Sequence, residues 1–130
     1  GALPMNETRT GLLLFAHGAR DPRWALPFEA VADAARRAHP GQPVALAFLE
    51  FMSPGLEAAA ESLVASGCTR LDVVPLFLGA GGHVRKDVPP LLEAVRARHP
   101  AVEVRLHPAV GEQPAMIEAM AHVALALQAR

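Results

Sequence analysis

At 130 residues, 52% of them apolar, the chain has the length of one domain and enough apolar side chains to close one core. Its 12 Lys and Arg against 13 Asp and Glu leave a net charge of −1 with no basic block, which indicates neither a nucleic-acid stripe nor an anionic-membrane patch and favours small molecules as partners. One cysteine, Cys68, allows no internal disulfide, cysteine-ligated zinc site or iron–sulfur centre, as suits a reducing cytoplasm, so a bound metal must use nitrogen and oxygen ligands.

Residues 1–10, GALPMNETRT, are expected to form an N-terminal extension to a single domain over 11–130. They lack the basic start and long apolar run of a signal peptide. Met5 reads as the natural start, with Gly1 to Pro4 a cloning remnant. No apolar stretch is long enough to span a bilayer, so a soluble cytoplasmic protein is expected.

GLLLFA (11–16) opens the domain as a short apolar run bounded by turn residues, which predicts a strand. Trp24, Phe28, Val31, Ala32 and Ala35 then recur at helical spacing and predict one buried stripe. VALAFLE (44–50) is the second strand, followed by a helix whose stripe is Leu56, Ala60, Leu63 and Val64 and which Gly67 ends. LDVVPLFL (71–78) is the third strand, with a bulge expected at Pro75 because proline removes a ladder donor. Asp87 is the expected N-cap of a third helix carrying Val88, Leu91, Leu92 and Val95, which confines Pro89 and Pro90 to its first turn; Pro100 ends it. VEVRLH (102–107) is the fourth strand, and Met116, Met120, Val123 and Leu127 mark the fourth helix.

Strand and helix thus alternate four times. The runs show little strict alternation, as expected of a parallel sheet covered on both faces. The predicted fold is α/β, a four-stranded parallel sheet flanked by helices in the flavodoxin-like strand order 2-1-3-4. Such sheets bind ligands beyond the carboxyl ends of their strands, where the order reverses. His17, Glu50, His83 and His107 all fall at that edge, and in this order the loops carrying His17 and His83 face each other. His39 and His99 stand before prolines at helix C-termini, where the helix dipole accounts for them without chemistry, and His122 reads as a surface residue.

Other readings of these loops exist. LGAGGH (78–83) could offer backbone N–H groups to a phosphate, yet it lacks the lysine and hydroxyl of a P-loop and the G-x-G-x-x-G spacing. AHGAR (16–20) suggests a phosphohistidine enzyme of the phosphoglycerate mutase type, but Ala16 stands where that family has arginine. Arg20, Arg23, Arg85 and Lys86 surround the two histidine loops as a basic collar suited to a polycarboxylate, with Asp21 and Asp87 able to dilute it.

LLLFAHGARDPR, LAFLEFMSPGLEAA, VVPLFLGAGGHVRKDVPPLL and the closing VGEQPAMIEAM together resemble the small single-domain class II chelatases, which insert cobalt or iron into sirohydrochlorin. The resemblance runs from Leu12 to Met120. It implies a chelatase-like half domain in which His17 and His83 bind the metal and Glu50 lies in the same cleft. It further implies a flat, carboxylate-bearing tetrapyrrole held by the basic collar and by Phe51, Met52 and Leu78. No permanent cofactor is implied, since divalent cobalt or ferrous iron is itself a substrate. Larger relatives hold two such domains about one cleft, so a homodimer is expected. Ala19 departs from the serine common in that family.

The chemistry suits the task. Imidazole binds cobalt, iron and nickel, and two histidines with one carboxylate leave coordination positions open, as an enzyme that releases its metal requires. Histidine binds metal only when neutral, so with a reference pKa of about 6.5 metal insertion is expected to fall in mild acid. A non-catalytic metal- or tetrapyrrole-binding module is the rival reading, because binding residues alone do not prove turnover.

Overall fold

The computed structural model describes residues 8–79 and 81–130, apart from the side chain of His83. Most of the expected N-terminal extension lies outside the described residues, and Thr10 already belongs to a strand. Four strands, β1 (Thr10–Ala16), β2 (Val44–Phe48), β3 (Arg70–Pro75) and β4 (Glu103–Leu106), alternate with four helices, α1 (Ala25–Ala38), α2 (Leu56–Ala65), α3 (Gly82–Arg98) and α4 (Pro114–Gln128). The sheet is parallel throughout and its order is β2-β1-β3-β4, as the sequence predicts.

Alternation along the central strands splits the interior in two. Leu13 and Phe15 of β1, Leu71 and Val73 of β3 and Val104 of β4 face α2 and α3, in a cluster with Leu56, Ala60, Leu63, Leu92 and Val95. Ala16 and Phe48 face the other way, towards Ala25 and Phe28 of α1. Burying the first cluster is the main apolar driving force, since each fully covered Leu, Val or Phe stabilises by about 1.5–3 kcal/mol relative to its exposed state.

Five expectations are corrected. The second and third strands end early, at Phe48 and Pro75, which leaves Glu50 and Leu78 in loops. No bulge forms at Pro75, because the register runs unbroken to Phe15↔Pro75. The Leu76 amide donates to the Phe15 carbonyl (2.7 Å), so the Pro75 nitrogen faces the β4 side, where that strand stops at Leu106 and needs no donor. In α1 the covered face is Ala25, Phe28, Ala32 and Ala35, while Trp24 and Val31 are exposed. Trp24 is drawn off by a contact described below.

The fourth correction concerns α3, which starts at Gly82 with Gly81 as N-cap in place of the expected Asp87, and so carries Pro89 and Pro90 in its interior. Its stripe explains this. Val84, Val88, Leu92 and Val95 recur at four, four and three and are all buried, so the first turn adds to one continuous apolar face. The two prolines are exposed, as are Arg85 and Lys86, whose carbonyls the prolines cannot bond, so the lost bonds fall on the side of the helix open to solvent.

The fifth concerns α4. Its stripe is formed as expected but not covered: Met120, Val123 and Leu127 are exposed, and the only substantial packing partner of α4 among the described residues is the 3-10 turn Val110–Glu112 before it.

One device recurs at both edges of the sheet. On α1, Arg36 pairs with Asp33 (2.9 Å) and donates to the Val44 carbonyl of β2 (3.0 Å). On α3, Arg96 pairs with Glu93 (2.8 Å) and donates to the Val104 carbonyl of β4 (3.0 Å). Each set is written in the same pattern of eight, DAARRAHP (33–40) and EAVRARHP (93–100), whose histidine forms the helix C-cap.

Candidate functional site

β1 and β3 are neighbours, so their carboxyl ends deliver two loops side by side. His17 leaves β1 directly, and its ring lies on the ring of Phe77 from the β3 loop, centroids 4.4 Å apart at 34°. Phe77 is itself buried and packs against Phe15. On the other side, the Trp24 indole donates to the His17 carbonyl (2.7 Å). Backbone and ring of His17 are therefore both held, while its ring nitrogens make no hydrogen bond among the described residues. They are available to an incoming ligand.

Glu50 comes from the neighbouring strand by a tight turn. The Met52 amide donates to the Glu50 carbonyl (2.8 Å) across Phe51, whose φ of +65° is rare for a residue with a Cβ. Strain of this kind costs on the order of 1–3 kcal/mol and persists only where surroundings enforce it. The enforcing contact is visible. Gly18 is pressed so closely against this turn that a Cβ there would fall on the Glu50 carbonyl oxygen. The glycine after His17 thus locks the His17 loop to the Glu50 turn. Phe51 projects into solvent, 61% exposed, with the Arg20 guanidinium 5.0 Å above its ring.

The β3 loop is braced from a third direction. The Gly111 amide donates to the Phe77 carbonyl (2.9 Å), and a Cβ on Gly111 would strike the Leu78 backbone. Leu78 is left 75% exposed. The loop then enters α3, and His83 is the second residue of that helix and not part of a glycine loop; its side chain lies outside the described residues. Among the described residues no three His, Cys, Asp or Glu side chains converge as a ready-made metal cage.

The collar is uneven. Arg20 is exposed beside Phe51, and Arg85 and Lys86 are exposed near the start of α3. Arg23 is instead paired with Asp21 (2.8 Å), and that hydrogen-bonded pairing holds the Asp21 carboxyl below its ordinary value. Ala19 lines a separate surface hollow with Arg23, Trp24 and Phe28. His107 does not join His17. It contacts Asp72 (2.8 Å), which Arg70 also holds (3.0 Å). Burial pushes the Asp72 carboxyl up, but hydrogen bonds from His107 and Arg70 outweigh it and leave the group below the usual carboxylate range.

Next to Phe77 a groove of about 310 Å³ runs between α3 and the end of β4, lined by Val84, Val88, Leu106 and Ala109 with Arg85, His107 and Glu112 as its polar residues. Sequence reasoning named neither Phe77 nor Trp24 as part of the site. Phe77 was hidden in a run of leucines, and the single tryptophan fell on a helical period and read as core. The roles of Gly18 and Gly111 carry no sequence signal, since the need for a missing Cβ arises from tertiary contact.

Comparison with known proteins gives the frame. The CbiX family profile matches residues 11–125. The sirohydrochlorin ferrochelatase of Bacillus subtilis (strain 168) is 29% identical over 115 residues, 88% of this chain and 44% of that one. The sirohydrochlorin cobaltochelatase of Methanosarcina barkeri (strain Fusaro / DSM 804) is 33% identical over 84 residues, 65% of each chain. The chain thus spans between about half and two thirds of the length of these curated relatives. The crystal structure of a CbiX protein from Marinobacter aquaeolei VT8 superposes with a TM-score of 0.83 at 34% identity, covering 93% of this chain and 98% of that one. A profile match over nearly the whole sequence, together with a shared fold over nearly the whole length of a CbiX protein, establishes that the chain belongs to the CbiX family.

Proposed function

We propose that this chain inserts a divalent metal, cobalt or ferrous iron, into sirohydrochlorin, as a step of cobalamin or siroheme synthesis in the cytoplasm. The observation that carries the reading is the His17 ring: seated on Phe77, fixed through its carbonyl by Trp24, and with both nitrogens open among the described residues. A ligand so held is oriented without being caged, which suits a metal that must be passed on. His83, at the start of the helix that the Phe77 loop enters, is the proposed second ligand.

Insertion releases two protons from the ring nitrogens. Glu50 is the proposed acceptor, an exposed carboxylate with no ion pair among the described residues, on a turn locked to the His17 loop. Phe51 and Leu78, exposed on loops either side of His17, offer apolar contact to a flat macrocycle, and half-buried Met52 supports the Phe51 turn. Arg20, Arg85 and Lys86 supply charge for its carboxylates. Arg23 contributes less, being engaged with Asp21.

The groove beside Phe77, at about 310 Å³, is at the small end of ligand sites and holds an edge of a tetrapyrrole, not the whole. A second copy of the chain completes the cleft. The test is anaerobic metallation of sirohydrochlorin followed by absorbance, with cobalt(II) and iron(II) in parallel, for the intact protein and His17→Ala/His83→Ala. Catalysis present in the first and lost in the second is expected. Binding of the macrocycle without acceleration above the buffer rate would make the chain a carrier, and phosphorylation of His17 by a phosphate donor with no metal requirement would make it a phosphohistidine enzyme.

A further inference from the structure

A histidine that binds metal through one ring nitrogen is normally aimed by a hydrogen bond at the other, made to a carboxylate or a backbone carbonyl. Among the described residues the His17 ring has no such bond, and its face rests on Phe77. Stacking leaves a ring free to turn in its own plane, so what aims this imidazole must act through the backbone. That backbone is intrinsically loose, because the next residue is Gly18, whose φ no Cβ confines. The His17 carbonyl belongs to the peptide plane shared with Gly18, and the Trp24 indole N–H donates to it at 2.7 Å. One short bond thus fixes the plane on which both the His17 ring and the contact of Gly18 with Glu50 depend.

Local sequence places the indole. Asp21 caps the 3-10 turn Pro22–Trp24 by accepting from the Arg23 amide, and the Trp24 amide closes the turn on the Asp21 carbonyl (3.0 Å). Side chains on a helix lean back over the preceding turn, so Trp24, at the head of α1, reaches towards His17. It gives up cover to do so, for the sole tryptophan of the chain is 44% exposed. Its ring meets Phe28 (centroids 5.5 Å apart), and Phe28 meets Phe48 edge-on (6.4 Å) at the end of the strand that leads to Glu50. His17 is therefore gauged against the same strand as Glu50.

We propose that Trp24 is the positioning residue of His17, holding the His17 peptide plane so that the imidazole presents a nitrogen to the incoming metal in one fixed direction. The inference rests on the chelatase reading above and adds to it a residue that acts only through the backbone of a ligand.

The experiment compares the intact protein with Trp24→Phe and with Val31→Ala, an exposed position of α1. Trp24→Phe keeps a ring against Phe28 and removes only the donor. Its calorimetric cobalt(II) affinity and its KM for cobalt(II) in anaerobic metallation should worsen on the order of 10- to 100-fold, the size expected for a group that orients a metal ligand. The KM for sirohydrochlorin and the melting transition should stay as in the intact protein, and Val31→Ala should match it throughout. With one tryptophan, the nitrogen-15 spectrum of the protein holds one indole N–H signal. Cobalt(II) should shift or broaden that signal in the intact protein and leave it alone in His17→Ala.

Unchanged cobalt(II) affinity and KM in Trp24→Phe overturn the assignment. A parallel worsening of both KM values with a lowered melting transition also overturns it, since the indole would then serve the fold alone. If Trp24→Phe does not fold, the indole signal decides: one that cobalt(II) leaves unmoved, or moves equally in His17→Ala, overturns the assignment. An intact protein that binds cobalt(II) without metallating sirohydrochlorin fails the chelatase reading alone, and the difference in cobalt(II) affinity still judges Trp24.

Discussion

Gly18 has no room for a methyl group. In Gly18→Ala the new Cβ meets a backbone carbonyl, which cannot swing aside as a side chain can, so either the His17 loop or the Glu50 turn must move. A loss of about 1–3 kcal/mol in unfolding free energy is expected from such overpacking, read from the urea midpoint. Displacing His17 by a fraction of an ångström relative to Glu50 should also cost on the order of 100-fold in metallation rate, since reacting groups tolerate little misplacement. Unchanged turnover with lowered stability would mean that the contact serves folding only. Ala19, the next residue, stands against no such barrier, and nothing in its surroundings explains why alanine replaces the serine common among the chelatases that the sequence resembles.

At the scale of elements, α3 does two jobs with one stripe. Val88, Leu92 and Val95 anchor it to the sheet, and Val84 carries the same face up to the turn that bears His83. Leu92→Ala should therefore cost about 2–5 kcal/mol, as expected for a core leucine that is 3% exposed, measured by chemical denaturation. This helix also marks where sequence reading stopped. The strand order, the four strand–helix units and the edge that gathers His17, Glu50 and His83 follow from apolar runs and from the rule that ligands sit at the switch point. The start of α3 did not follow, because two adjacent prolines argue locally for a first turn, and only the burial of Val84 and the exposure of the prolines reverse that argument. The fate of α4 was illegible for a related reason: a stripe shows which face seeks cover, not what covers it.

For the whole molecule, the Asp72 cluster ties stability to acid. The Asp72 carboxyl is held below its ordinary value in the folded chain, so folding favours the ionised form. Its contribution is present in full above the unfolded value, about 3.9, and is lost as pH falls through the lower folded value. Stability should therefore decline below about pH 4, and Asp72→Asn should flatten that decline while lowering stability near neutrality; melting curves from pH 3 to 7 would check both. An acid limb of equal steepness in the variant would assign it to other carboxylates.

The two arginines that reach the Val44 and Val104 carbonyls have a consequence for how the protein behaves in a crowded solution. An open sheet ends in strands whose outward backbone groups can recruit any passing strand, the first step towards fibrous aggregates. Here each outer strand meets a guanidinium already anchored to an acid one turn earlier on the same helix, and the eight-residue pattern that builds this guard is written twice, once for each rim. A newcomer would have to displace a charge-assisted bond before adding a strand. Growth of the sheet by accretion is thereby opposed at both ends.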